Sequence, residues 1–224
     1  MKELLDIILH INDYLDQWVN DYGTAIYAIL FLIIFVETGL VIMPFLPGDS
    51  LLFAAGAICA RSADQPDAPM NIGVLIALLS VAAILGDNTN YAIGRFIGSR
   101  VTGLKLFGRN LVKQQYIDKT QSFFEKYGTK AIIMARFVPI VRTFTPFVAG
   151  VGKMDYKRKF LPFDIGGGIL WISSMSLAGY WLGTNAWVKA HFESVVIAII
   201  LISVLPMVIG FISHKMKNKS AAGK

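Results

Sequence analysis

Residues 26–60 read IYAILFLIIFVETGLVIMPFLPGDSLLFAAGAICA, an apolar stretch that is interrupted near its middle. It is apolar up to Val36, meets Glu37, and later breaks at the segment from Pro44 to Asp49, which holds two prolines and a glycine. A membrane-spanning helix needs about 20 apolar residues, whereas the arm after the break has only about ten. The stretch therefore predicts a re-entrant helical hairpin, which enters and leaves the membrane on one side.

A second broken apolar stretch covers residues 131–152 and contains two prolines and two arginines. Its flanks, residues 99–130 and 153–159, are rich in Lys and Arg, which is typical of cytoplasmic segments. The first stretch instead lies between an acidic N-terminus and the slightly acidic loop 61–69. The flanking charges therefore predict that the two hairpins enter the membrane from opposite faces, as in transporters built from inverted repeats. No residue-level repeat supports this symmetry, which rests on charge and hydropathy.

The remaining apolar segments predict about three full transmembrane helices, at residues 72–97, 161–187 and 195–212. Trp171, Trp181 and Trp187 are expected near the membrane interfaces. Residues 3–22 place apolar side chains at helical spacing between acidic ones, which indicates an amphipathic helix on the membrane surface. The predicted fold is an all-α polytopic membrane protein with an N-terminal amphipathic helix (1–25), one membrane domain (26–213) and a basic cytoplasmic tail (214–224).

Composition supports a membrane protein. The chain has 224 residues, of which 55% are hydrophobic and 16% charged, compared with about 25% charged in soluble proteins. The net charge of +6 comes from loops beside apolar spans, so positive-inside topology explains it and nucleic-acid binding is not expected. The single cysteine, Cys59, and three scattered histidines indicate neither a metal site nor a catalytic centre, and no cofactor is predicted.

Four charged residues lie where the chain is expected at membrane depth. Glu37 and Asp49 are on the first hairpin, and Arg136 and Arg142 are on the second. A charged side chain at the bilayer centre costs about 2.5 to 3.5 kcal/mol on insertion scales, so such residues pair, neutralise or face water. In one interpretation they are buried ion pairs that lock the hairpins together. In the other, the arginines bind a phosphate group, because guanidinium matches its oxygens bidentately, and the carboxylates exchange protons.

Further polar residues lie inside the predicted spans. Asp87, Tyr91 and Arg95 follow one another at one-turn spacing and are candidates for the polar cavity; the alternative for Asp87 is a hydrogen-bonding cluster between helices. Asp164 precedes Gly166-Gly167-Gly168, a pattern interpreted as close helix packing.

At these residues the chain resembles the bacterial DedA family of inner-membrane proteins, over nearly its whole length. The motifs that carry the resemblance are Glu37-Thr-Gly39, Pro44-Phe-Leu-Pro-Gly-Asp-Ser50, Gly86-Asp87, Tyr91-Ala-Ile-Gly-Arg95, Phe124-Glu-Lys-Tyr-Gly128 and Ala135-Arg-Phe-Val-Pro-Ile-Val-Arg-Thr-Phe-Thr-Pro-Phe-Val-Ala-Gly150. Together they are specific, although a single Pro-Gly-Asp is not.

The resemblance implies two opposed re-entrant hairpins and a relation to eukaryotic lipid scramblases of the VTT group. Family members are implicated in returning undecaprenyl phosphate across the membrane, in flipping other phospholipids, and in envelope homeostasis that depends on the proton-motive force. The family's essential acidic residues match Glu37 and Asp49, and its essential arginines match Arg136 and Arg142. The expected function is a proton-dependent lipid flippase of the bacterial inner membrane, with a cytoplasmic C-terminus.

The predicted partners are membrane lipids, above all a polyprenyl phosphate, and protons. Competing functions are transport of a lipid with another head group, ion or drug/proton antiport, a membrane-embedded phosphatase and a non-transporting assembly factor. An enzyme is the least expected, because no nucleophile or metal cluster stands among the candidate residues. The lipid or ion moved, the direction, the proton stoichiometry, the side of the N-terminus and the oligomeric state, a homo-oligomer included, stay open.

Overall fold

The computed structural model describes residues 17–19, 21–40, 48–61, 70–97, 105–106, 109–110, 122, 124–185, 187–188, 191, 194–195 and 197–198. This part of the chain is helical except for turns and one antiparallel pair of two-residue strands, β1 (Lys105–Leu106) and β2 (Arg109–Asn110). The α-helices are α1 (Ile26–Gly39), α2 (Gly48–Arg61), α3 (Ile72–Ile97), α4 (Ala131–Ala135), α5 (Pro139–Val151) and α6 (Leu161–Gly183). A π-helical turn, Tyr156–Phe160, leads directly into α6.

Two described helical segments, Ile72–Phe96 and Tyr156–Gly183, are long and apolar enough to cross a membrane. Helices α1 and α2 have 14 residues each, which corresponds to about 21 Å against a hydrocarbon core of about 30 Å. Helix α3 coincides with the span predicted at 72–97, and α6 ends four residues before the predicted 187. The third span, the N-terminal amphipathic helix and the C-terminal tail lie wholly or largely outside the described residues.

Local sequence explains where the helices begin. The Asn71 side chain caps α3, because its Oδ1 accepts hydrogen bonds from the backbone N–H groups of Gly73 (2.8 Å) and Val74 (3.2 Å). Pro139 opens α5, a position where the missing N–H costs nothing. Val138 before it is extended, as residues before proline prefer. The break predicted in the second apolar stretch therefore falls at residues 136–138, between α4 and α5.

The central helices are α2 and α5. Residues 50–60 of α2 and 141–150 of α5 are buried on all sides, which is expected of a helix surrounded by protein. Helix α2 packs mainly against α6, α5 packs mainly against α3, and α1 packs against α3. The long helices α3 and α6 also expose large apolar side chains, including Val81, Leu85, Ile169 and Trp181, and these faces suit contact with lipid.

Two short sequences adopt the same turn. Tyr22-Gly23-Thr24 and Tyr127-Gly128-Thr129 each form a 3-10 turn that leads into a helix, α1 and α4 respectively. The glycine φ angles are 53° and 58°, in the left-handed region that glycine enters without strain. The tyrosine φ angles, −110° and −113°, also agree.

The packing of the central helices is duplicated as well. Helix α2 packs against α6, and α5 packs against α3, through glycines that lie on a backbone carbonyl oxygen of the other helix. A Cβ at each of these glycines would collide with that oxygen. These pairs are Gly56 with Ser176, Gly179 with Phe53, Gly150 with Tyr91, and Gly94 with Phe147. In every helix the two residues are three apart. The chain thus contains two structural repeats, and the second helix of each packs on the long helix of the other.

Candidate functional site

Arg142 joins the two halves of the chain. It lies in the first turn of α5 and its guanidinium is 7% exposed. Nη1 donates a hydrogen bond to Oδ1 of Asp49 at 2.7 Å, and Nη2 donates to Oε1 of Glu37 at 2.9 Å. Glu37 lies near the end of α1 and Asp49 in the first turn of α2, so one side chain of α5 connects the two helices that flank the first break with the helix that follows the second.

Trp171 of α6 completes this group. Its indole Nε1 donates to Oδ1 of Asp49 at 2.8 Å, and the guanidinium carbon of Arg142 lies 4.5 Å from the centroid of its ring. A desolvated cation over an aromatic face is stabilised by the ring quadrupole. Glu37, Asp49, Arg142 and Trp171 are called the Arg142 cluster below. Trp171, which was expected near a membrane interface, lies in the middle of the candidate span Tyr156–Gly183, and its side chain is fully buried within the protein.

Arg136 forms a second group with different partners. It lies in the turn after α4, is 3% exposed, and its Nη2 donates to Oδ1 of Asp164 at 2.6 Å. The same nitrogen is ion-paired with Asp87 of α3. Asp87, Arg136 and Asp164 are called the Arg136 cluster.

Glycines of α6 provide the space for this arginine. Gly167 faces Ile133 and the side chain of Arg136, and a Cβ on Gly168 would lie 3.6 Å from Nη2 of Arg136. The close packing predicted for the glycine run is thus present at these two residues, where it accommodates an ion pair. Around Gly166 nothing lies within 4 Å of such a Cβ.

Gly48 approaches the Arg142 cluster in the same way. A Cβ at this position would overlap the carboxylate of Glu37. A side chain at position 48 would push this carboxylate away from its present place, so Gly48 leaves the space that Glu37 occupies beside Asp49.

The Arg136 cluster contains buried polar atoms without hydrogen-bond partners. They include Nη1 of Arg136 and Oδ2 of Asp164. A buried polar atom left unsatisfied costs about 1 to 3 kcal/mol, and more when the group is charged. The cluster therefore has hydrogen-bonding capacity beyond what the ion pairs use, and Nη1 of Arg136 is a donor that an anion could engage.

The two clusters form one electrostatic unit. Asp87 of the Arg136 cluster is close enough to Glu37 and Arg142 for their charges to interact. Asn90 also links the surrounding helices, because its Nδ2 donates to the carbonyl oxygens of Thr38 (3.2 Å) and Thr143 (2.9 Å). Together the clusters hold two guanidinium groups and four carboxyl groups.

Tyr91 and Arg95, the other candidates for the polar cavity, lie outside both clusters. They line a separate open cavity of about 780 Å³ beside residues 153–158. Of the predicted site residues, the structure thus gathers Glu37 and Asp49 around Arg142, and places Asp87 with Arg136. Within the described residues, no group of three or more His, Cys, Asp and Glu side chains is arranged to hold a metal ion.

The sequence analysis did not predict that Asp164 pairs with Arg136 or that Trp171 donates a hydrogen bond to Asp49. The signal was present in their spacing: Asp164, Gly168 and Trp171 recur at i, i+4 and i+7, so they share one face of α6. This face of α6 combines an acidic residue, a glycine and a tryptophan, which predicts a polar contact with a neighbouring helix.

Comparison with known proteins adds an independent finding. The VTT domain matches residues 46–181, a range that includes every cluster residue except Glu37. The chain is 47% identical to protein DedA of Escherichia coli strain K12 over 222 residues, 98% of this chain and 97% of that protein. An uncharacterised membrane protein of Mycobacterium tuberculosis strain H37Rv is 44% identical over 188 residues, 84% of this chain and 79% of the relative.

A more distant relative is named by its location. The inner membrane protein YqjA of E. coli strain K12 is 31% identical over 201 residues, 86% of this chain and 87% of that protein. No solved structure matches the chain.

Proposed function

Because the chain belongs to the VTT-domain (DedA) family of membrane proteins, we propose that it is a proton-dependent lipid transporter of the bacterial inner membrane. Its proposed substrate is undecaprenyl phosphate, whose head group it returns across the membrane for envelope biogenesis. The observation that carries the proposal is the position of Arg142, buried between Glu37 and Asp49 where the two broken segments meet.

Phosphate is the group that suits these arginines. A guanidinium stays charged in a membrane interior and presents two parallel N–H groups to phosphate oxygens. Arg142 already uses both terminal nitrogens on carboxylates, so a phosphate would replace Glu37 and Asp49 in an equivalent geometry. The stacking on Trp171 holds the guanidinium plane in place during that exchange.

In this proposal, protonation of the carboxyl groups controls whether Arg142 pairs with them or with the phosphate. Four carboxyl groups face two guanidinium groups, so a fully ionised site carries a net charge of −2, which is unfavourable in a medium of low dielectric constant. Protonation of Glu37 and Asp49 releases Arg142 to the phosphate, and their deprotonation draws the arginine back. One elementary charge moved through 100 mV supplies about 2.3 kcal/mol, which changes a two-state equilibrium by well over tenfold.

Two re-entrant hairpins fit this cycle. Helices α1 and α2 are each too short to span the bilayer, and α4 with α5 resembles them after the same Tyr-Gly-Thr turn. Asp49 and Arg142 lie in the first turns of α2 and α5, and helix N-termini favour anions. Only the head group enters this polar region, while the polyprenyl tail stays in lipid.

The test is transbilayer movement of undecaprenyl phosphate in proteoliposomes, with and without a pH gradient. We expect the gradient to stimulate movement by the unmodified protein, and Arg142→Lys, which keeps the charge but loses the planar fork, to abolish it. Glu37→Gln should remove the stimulation by the gradient. Lys130→Gln, an exposed residue outside the clusters, is the control. Movement that survives Arg142→Lys would contradict the proposal.

Ion or drug/proton antiport is the second candidate, and the surplus of carboxyl groups over arginines favours it. Collapse of an ion gradient in vesicles that contain no polyprenyl phosphate would support it. The same assay distinguishes a phosphatase by the release of phosphate from labelled lipid. A Glu37→Gln variant with full activity in cells would instead support an assembly factor. We propose that the protein is not an enzyme.

A further inference from the structure

A basic cavity lies apart from the buried clusters. Its volume is about 780 Å³, and its lining includes four cationic side chains, Arg95, Lys153, Lys157 and Arg158, and one carboxylate, Asp155. These residues come from α3 and from the segment that leads into α6. The cavity is called the basic basin below.

The single carboxylate of the basin is engaged in local structure. Oδ1 of Asp155 accepts a hydrogen bond from the backbone N–H of Arg158 at 2.9 Å, which caps the π-helical turn Tyr156–Phe160. Single turns of π-helix are rare and frequently occur at functional sites. The turn directs Lys157 and Arg158 to the wall of the basin.

Tyr91 fixes the opposite wall. It is 4% exposed, its hydroxyl donates to the carbonyl oxygen of Met154 at 2.6 Å, and Nη1 of Arg95 donates to the same hydroxyl at 3.2 Å. Its ring stacks on Phe160, with centroids 4.5 Å apart. Arg95 is therefore held toward the basin by a buried side chain.

Helix α3 connects the basin to the buried site. Asp87, Tyr91 and Arg95 are four residues apart, so they follow one face of the helix over about 12 Å. Asp87 belongs to the Arg136 cluster, and Arg95 belongs to the basin. A phosphate bound in the basin would lie about two helical turns from the buried arginines.

We infer that the basic basin binds the phosphate-bearing head group of an anionic membrane lipid and is a second site on the path of the head group through the buried arginines. The inference rests on the proposed transport function and adds a separate binding site to it. Four cations against one carboxylate attract an anion, and the ring of Tyr156, which lines the basin and is 36% exposed, offers apolar contact to an acyl or polyprenyl chain. This apolar neighbour favours a lipid over free phosphate.

The experiment measures lipid retained by the full chain after purification from nanodiscs that contain a small fraction of undecaprenyl phosphate in zwitterionic lipid, using native mass spectrometry. Arg95→Gln and Lys153→Asn each remove one basin charge. Asparagine suits position 153, where φ is 51°, since it enters the left-handed region more readily than most residues. We expect each variant to lower the affinity about tenfold, the size of one charge-assisted hydrogen bond.

Lys130→Gln is the matched control, because it removes the same charge from an exposed residue that does not line the basin. An equal loss of affinity in this control, or unchanged affinity in both basin variants, would overturn the inference. Inorganic phosphate is expected not to displace the lipid at equal concentration; displacement would overturn the assignment to a lipid head group.

The binding site and the transport function can fail separately. Arg142→Lys should retain lipid in the basin while transport is lost. Lipid binding at the basin by a protein that moves no lipid would refute only the transport function. Transport that proceeds at the normal rate in an Arg95→Gln and Lys153→Asn double variant would refute only the place of the basin on the transport path.

Discussion

Asp49 and Trp171 are joined by a hydrogen bond of 2.8 Å between Oδ1 and the indole Nε1, and the same oxygen accepts from Nη1 of Arg142. Asp49 lies in the first turn of α2, the second helix of one repeat, whereas Trp171 lies on α6, the long helix of the other repeat. The bond therefore holds the carboxylate from outside its own repeat. Since the indole ring also lies against the guanidinium, one tryptophan positions both charges of the central ion pair.

Replacement of Trp171 by phenylalanine tests this arrangement. We expect the free energy of unfolding to fall by about 1 to 3 kcal/mol, because the hydrogen bond to a charged group is lost and the cation–π contact is weakened. The measurement is thermal unfolding of the detergent-solubilised protein followed by circular dichroism. Trp181→Phe is the control: that side chain is 70% exposed, so its loss should change stability by less than about 0.5 kcal/mol. Equal effects would contradict the special role of Trp171.

The breaks in the two apolar stretches were predictable because they depend on local sequence. A proline lacks the backbone N–H that a helix interior needs and favours a helix start, as at Pro139, and segment length limits what can span a bilayer. The repeat was not predictable in this way. Its contacts are made by backbone carbonyl oxygens, so Tyr91 and Ser176 occupy equivalent positions without sharing side-chain chemistry.

The pairing of charges was only partly predictable. Charges at membrane depth need partners, which led to Glu37, Asp49, Arg136 and Arg142 as one set. Sequence alone does not tell which arginine faces which acid, because that depends on how the helices pack. The structure assigns both predicted acids to Arg142 and gives Arg136 to Asp87 and to Asp164, a residue that had been interpreted as part of a packing motif.

The duplicated packing predicts that glycine-to-alanine substitutions change the stability of the protein in opposite directions at different positions. Gly56→Ala should destabilise the protein by about 1 to 3 kcal/mol, since its Cβ meets the carbonyl oxygen of Ser176 and backbone must move. Gly150→Ala should behave alike, because it meets Tyr91 in the equivalent way. Gly166→Ala has open space around it and should stabilise α6 by up to about 1 kcal/mol through helix propensity.

These three variants can be compared by the midpoint of unfolding in detergent. A destabilised Gly166→Ala, or a neutral pair at positions 56 and 150, would contradict the packing described. If the Gly56→Ala protein does not accumulate, a normal yield of Gly166→Ala under identical expression still distinguishes a tightly packed glycine from one with open space around it.

Double-mutant analysis of the Arg136 cluster forms the third prediction. Asp87→Asn and Asp164→Asn each leave Arg136 with one carboxylate, so each should cost less than the loss of both. The double variant leaves a buried guanidinium with neither partner, and breaking a buried ion pair in this way costs about 3 to 5 kcal/mol. We therefore expect the double variant to lose more stability than the sum of the single effects. Additive effects would show that the two carboxylates stabilise the protein independently of each other, which would contradict their sharing of Arg136.

The proposed arrangement of two hairpins inserted from opposite faces makes a fourth prediction, which concerns topology. In a Cys59→Ala background, a cysteine at Gln65 tests the loop between the first hairpin and α3, and a cysteine at Lys130 tests the basic flank of the second. By the positive-inside rule, a membrane-impermeant thiol reagent should label position 65 in intact cells and position 130 only after permeabilisation. Cys59 is buried, so the parent chain should remain unlabelled in the unmodified background. Labelling of both positions from the same side would place the two hairpins on one face of the membrane, and the Arg142 cluster could then no longer be reached alternately from each side.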